Sequence, residues 1–165
     1  SYFFEKKLNK ELEIAMLDPE KFKQINPNKL IMFLEKKLKK EPEDIEGWLI
    51  LARTCIFTGY YQKDDAYYKK ALTYFPNNEN VLIEYSILKK NTNQTKSAKE
   101  LLNTLKELFP ENVKGRELLI EILISNLNYK LAKKEIEELK QLKKDDIKYI
   151  EEIKEKFKFK VIQDF

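Results

Sequence analysis

Apolar residues along this chain recur at intervals of three and four, the spacing that lines them up on one face of a helix. Leu30, Phe33, Leu34 and Leu38 mark one such helix, opened by Asn26-Pro27 with the proline at the first helical position and closed before Pro42. Upstream, Phe4, Leu8, Leu12 and Ala15 predict a helix that packs on it. Downstream, Ile147, Ile150, Ile153 and Phe157 predict a last helix, for which Asp145 or Asp146 can serve as the cap. With the amphipathic segments between them, the pattern predicts eight or nine helices and no sheet.

A longer period lies over the helical one. Tyr61, Thr95 and Tyr129 are 34 residues apart, as are Pro42, Pro76 and Pro110, each proline standing where a residue without an N–H can end a helix and turn the chain. Ala98 and Ala132 show the same step, at a place where two paired helices cross closely. A period of 34 built from two helices is the tetratricopeptide signature. Trp48, Leu51, Ala52, Tyr68, Ala71 and Pro76 fill its pattern in the first repeat, which departs from it at Cys55, where an aromatic is usual, and at Asp64, where alanine is usual. Leu82, Tyr85, Ser86, Ala98, Leu102, Leu105 and Pro110 fit the second by size, and Leu119, Ala132, Ile136 and Leu139 the third. The expected fold is all-α: a right-handed tetratricopeptide superhelix of antiparallel helix pairs with flanking end helices. One domain spans 1–165, with N-terminal helices over 1–42, repeats over 44–77, 78–111 and 112–145, and a capping helix and tail over 146–165.

Composition narrows the chemistry. The chain has no histidine, which removes the commonest general base and imidazole ligand, and no glycine-rich phosphate loop. Neither a catalytic residue, a metal nor a cofactor is expected. Glu117 and Glu121 lie one turn apart, as glutamates on solvated helices commonly do, and Cys55 falls on the core side beside Leu51 as an inert thiol. The 32 basic residues are interleaved with 28 acidic ones, and only Arg53 and Arg116 are arginines, which describes a solvated surface and not a nucleic-acid site. No apolar run approaches the roughly 20 residues of a membrane helix. Because the chain opens on Ser1 and not on methionine, it is expected to be a piece of a longer one, with any membrane anchor in the missing part. The lone cysteine leaves the compartment open, cytoplasm included.

Stacked helix pairs leave a concave face lined by the first helix of each pair, and a peptide-binding function belongs there. The places that project opposite to the Trp48 and Leu51 face are Leu49, Arg53, Ile56 and Phe57 in the first repeat, Asn80, Ile83 and Ile87 in the second, and Lys114, Glu117, Glu121 and Ile124 in the third. Such a lining, apolar with charges of both signs around it, suits an amphipathic helix. Leu49 and Arg53 stand where chaperone-cofactor repeats carry the lysines and asparagines of a terminal-carboxylate clamp, so that mode of binding is not expected. An adaptor or self-assembly scaffold for another protein partner is the alternative.

The run Glu43-Asp44-Ile45-Glu46-Gly47-Trp48-Leu49-Ile50-Leu51-Ala52-Arg53-Thr54, continuing to Gly59 and Tyr61, resembles the first repeat of the membrane-anchored tetratricopeptide subunit of bacterial cytochrome c maturation. The resemblance is carried by residues 30–80 and by architecture beyond them. It implies a periplasmic module, tethered through segments absent from this chain, that holds the C-terminal helix of apocytochrome c and passes it to the haem ligation machinery.

Overall fold

The computed structural model describes residues 20, 24–59 and 61–161, and the side chains of all of these except 61, 62 and 159–161. Among the described residues there are eight helices and no strand: α1 Pro27–Lys40, α2 Ile45–Thr58, α3 Tyr61–Tyr74, α4 Glu79–Asn91, α5 Thr95–Leu108, α6 Val113–Ser125, α7 Tyr129–Leu142 and α8 Ile147–Val161. The helix expected through Phe4, Leu8, Leu12 and Ala15 lies outside the described residues. The starts of α2, α4, α6 and α8, at 45, 79, 113 and 147, step by 34, as do those of α3, α5 and α7 at 61, 95 and 129.

Local chemistry sets that step. Asp44, Asn78 and Asn112 accept the N–H of the residue three further on, at 3.1, 3.1 and 2.8 Å, and Asp146 accepts that of Tyr149 at 3.0 Å. These four caps are themselves 34 apart, and each is worth about 1 kcal/mol. Of the two candidates for the last cap, Asp146 is the one used. Pro42, Pro76 and Pro110 each follow the end of a helix by two residues. The turn inside each pair passes through one left-handed residue, Gly59 (φ 83°), Asn93 (φ 60°) and Leu127 (φ 60°), again at steps of 34.

The described residues fall into two compact units divided between Pro76 and Asn77. In the first, α2 packs against α1 and α3. Its core joins Leu30, Ile31, Leu34 and Leu38 to Trp48, Leu51, Ala52 and Cys55, and to Tyr68 and Ala71. The Trp48 indole N–H donates to the Pro42 carbonyl at 2.8 Å, and its ring stacks on Tyr74 with centroids 6.2 Å apart. Asp64 breaks the apolar rule. It is 0% exposed, its Oδ1 accepts from the Asp65 N–H at 2.6 Å, and its Oδ2 has no hydrogen-bond partner.

In the second unit α4 packs on α5, α5 on α6, α6 on α7, and α7 on α8. Ala98 and Ala132 are buried at the pair crossings, beside fully buried Leu102, Leu105 and Leu139, each worth about 1.5–3 kcal/mol. The backbone of α6 approaches α5 so closely that a Cβ on Gly115 would stand 2.4 Å from Leu105 Cδ2. Where the first pair has Trp48, the third has Arg116, two periods on, and it makes the equivalent bond: Arg116 Nε donates to the Pro110 carbonyl at 2.8 Å. Its guanidinium then reaches Glu138 at 3.2 Å and Glu135 at 3.9 Å, while Lys106 closes on Glu135 at 2.7 Å.

Candidate peptide-binding face

In the second unit, Asn80, Ile83, Ile87 and Lys90 share one face of α4 by helical spacing. Asn80 is exposed, and Ile83 and Ile87 are half-buried. Lys90 turns to α6, where its ammonium donates to Glu121 at 3.0 Å, and Lys156 from α8 reaches the same carboxylate at 3.1 Å. One turn earlier, Glu117 accepts from the Tyr149 hydroxyl of α8 at 2.5 Å. α4 and α6, the first helices of successive pairs, and the last helix α8 are thus joined through polar side chains on the face that carries the two isoleucines, and Lys114 is exposed at the start of α6.

These bonds fix the charge states. Burial alone would raise the Glu121 carboxyl, but the bonds to Lys90 and Lys156 outweigh it and hold the group below the usual range. Burial, followed by the bond to Glu117, pushes the Tyr149 hydroxyl well above its ordinary value, so it stays a donor. Glu117 and Glu121 therefore serve as structural hydrogen-bond acceptors. Cys55 is buried and its thiol is pushed up to about 11, by burial first and then by the nearby Asp64, which makes it a poor nucleophile. Among the described residues no three potential metal ligands cluster.

Two of the expected groove positions do not face solvent. Leu49 is 1% exposed and Ile124 is 7% exposed, so neither offers a side chain to a ligand. The reason is the same for both: α2 and α6 each pack against a helix on either side, and their apolar surface extends beyond a single stripe. In the first unit Arg53 is exposed, Ile56 is on the margin of exposure, and Phe57 is 85% exposed. Sequence reasoning missed Lys90, Lys156 and Tyr149. Lys90 and Tyr149 are separated from their carboxylate partners by 31 and 32 residues, so a search for polar partners about one repeat away would have found them.

The model of the cytochrome c-type biogenesis protein H TPR domain matches residues 7–149. The chain belongs to this family. Among solved structures it is similar to MamA, at 13% identity and a TM-score of 0.70 over 86% of this chain and 90% of that one. It is also similar to MamA residues 41 to the end from Desulfovibrio magneticus, at 16% identity and a TM-score of 0.68 over 95% and 88%. A tetratricopeptide repeat protein from Parabacteroides merdae aligns at 16% identity with a TM-score of 0.71, over 92% of this chain and 62% of that one. At such identities these likenesses speak to the fold alone, and the fold is that of a tetratricopeptide protein. No curated protein sequence matches. The family and fold together make this member of the biogenesis family a protein-interaction module. Among its described residues no helix is long and apolar enough to cross a membrane.

Proposed function

We propose that this module holds an amphipathic helical peptide against the face formed by α4 and α6, the first helices of the pairs in its second unit, and that the peptide is the C-terminal helix of an apocytochrome c awaiting haem attachment. The observation that carries the reading is the pair Ile83 and Ile87, accessible on one face of α4 beside a charge cluster in which Lys90 and Lys156 are both engaged by the Glu121 carboxylate. An apolar helix face would cover the isoleucines without stranding a charge. Membership of a cytochrome c-type biogenesis family supports reading the peptide as an apocytochrome c segment, held on the periplasmic side of a membrane-tethered parent for delivery to the haem ligation machinery.

Covering a few such side chains contributes several kcal/mol before ordering costs, consistent with affinity of about micromolar. Titration of a fluorescent apocytochrome C-terminal peptide tests the reading. Ile83→Asp and Ile87→Asp are each expected to abolish binding with the helical circular dichroism unchanged. Equal affinity for wild type and both variants would remove this face as the site. No affinity for any of them would leave an adaptor with a different partner.

A further inference from the structure

A cleft of about 850 Å³ opens in the first unit among α1, α2 and α3, and none of Leu49, Arg53 or Ile56 lines it. Its wall is aromatic: Trp48, with Tyr67 and Tyr74 at centroid distances of 6.3 and 6.2 Å. Lys39 from α1 and Lys69 and Lys70 from α3 stand around it, all exposed and without an ion pair among the described residues. The single carboxylate of the lining, Glu35, is already engaged, accepting from the Tyr67 hydroxyl and lying 3.7 Å from Lys63.

We infer that this cleft docks an acidic segment of a partner polypeptide, with an aromatic or bulky aliphatic side chain against the exposed Tyr74 ring and carboxylates over Lys39, Lys69 and Lys70. Charge complementarity selects the occupant: three unneutralised ammonium groups converge on an apolar wall whose own acid is satisfied. The cleft between α7 and α8, about 530 Å³, shows the contrast. There Lys140 and Lys154 are paired with Glu137 and Glu151 at 3.1 and 3.4 Å, so it carries no comparable demand for an anion. Nucleic acid fits the first cleft less well, because Tyr74 already stacks on the indole that a base would use, and the lysines surround a single cavity without forming a track.

Trp48 is the only tryptophan of the chain, so its emission reports directly on this cleft. The test titrates the protein with a short synthetic peptide of glutamates and aspartates around one phenylalanine. A lysine-containing counterpart and a thymidine oligonucleotide serve as controls. The expected result is a saturable change in emission with the acidic peptide alone, weakened by salt. Lys39→Gln, Lys69→Gln and Lys70→Gln together should weaken it by about tenfold or more, since each exposed pair contributes about a threefold factor at low salt. The three Glu substitutions should remove it, with circular dichroism unchanged because the side chains are exposed. No saturable change, equal affinity of the Glu variant, or tighter binding of the oligonucleotide would each overturn the inference.

Discussion

The first helix pair, α2 with α3, follows the repeat pattern best, and the later pairs α4 to α7 follow it less well. Yet the later pairs bring cations to their buried acid: Glu135, like Asp64, keeps one carboxylate oxygen without a hydrogen-bond partner, but Lys106 bonds its other oxygen at 2.7 Å and Arg116 stands 3.9 Å away. In the first pair the two departures from the pattern, Cys55 and Asp64, are buried close to each other, and Asp64 keeps an oxygen without a hydrogen-bond partner. In the third pair the tryptophan is gone, but Arg116 makes the bond to the proline carbonyl and also reaches Glu135 and Glu138. Likeness to a motif therefore measures shared geometry. It does not measure how well a given pair is stabilised, which depends on what each departure brings with it.

Removing the side chain that anchors the later pairs tests this most severely. Glu135 is buried, accepts from Lys106 at 2.7 Å, and stands 3.9 Å from Arg116, so it links α7 to α5 and α6. Glu135→Ala would leave two cations without their shared acceptor. Breaking a buried pair costs about 3–5 kcal/mol, and the partial exposure of Lys106 reduces that here to about 2–3. Denaturant unfolding should show the loss, and amide exchange should place it in α5 to α7. A loss below about 0.5 kcal/mol would mean that apolar packing alone holds these pairs.

Asp64 makes the opposite prediction. Burial, its first cause, raises the carboxyl pKa above the ordinary 3.8. A carboxylate raised on folding is more protonated in the native state than in the unfolded one. Stability from this group is therefore greatest below the unfolded pKa and is lost as pH rises through the folded one. Asp64→Ala, which installs the usual residue of the pattern, should stabilise the protein at pH 7 by about 2 kcal/mol, the penalty of a buried unpaired polar group. The gain should shrink as the pH approaches 4. Unfolding midpoints of wild type and variant across that range provide the check, and a difference that stays constant with pH would show that folding does not raise the Asp64 pKa.

Much of the fold was legible because it rests on short-range signals repeated in register. The prolines at 42, 76 and 110 and the small residues at 98 and 132 could be counted directly, and the caps at 44, 78, 112 and 146 follow the same step although only the last was foreseen. The candidate face was less legible. Whether Leu49 or Ile124 meets solvent depends on how many neighbours its helix has, and one helix's periodicity does not contain that number. Glu121 looked like an ordinary solvated glutamate because Lys90 and Lys156 come from other pairs. In the sequence Arg116 is only one of two arginines on a solvated surface, which does not foretell its bond to Pro110.

The smallest expected effect concerns the turns, where the first pair conforms and the third does not. Gly59, Asn93 and Leu127 occupy equivalent left-handed positions, φ 83°, 60° and 60°. Glycine adopts that conformation freely and asparagine tolerates it, whereas a side chain such as leucine is crowded against its own backbone at a cost of about 1–2 kcal/mol. Nothing offsets this at Leu127, whose side chain is 71% exposed and so gains little from burial. Leu127→Gly relieves the strain, while the greater freedom of glycine in the unfolded chain returns part of the gain. A net stabilisation of about 0.5–1 kcal/mol should appear as a higher denaturant midpoint with an unchanged slope. Leu127→Asn should give a similar gain with less entropic loss, making the third turn chemically equivalent to the second. If both substitutions destabilise the protein, the leucine makes a contact that its exposure conceals, and the third turn is not a departure from the repeat but an adaptation of it.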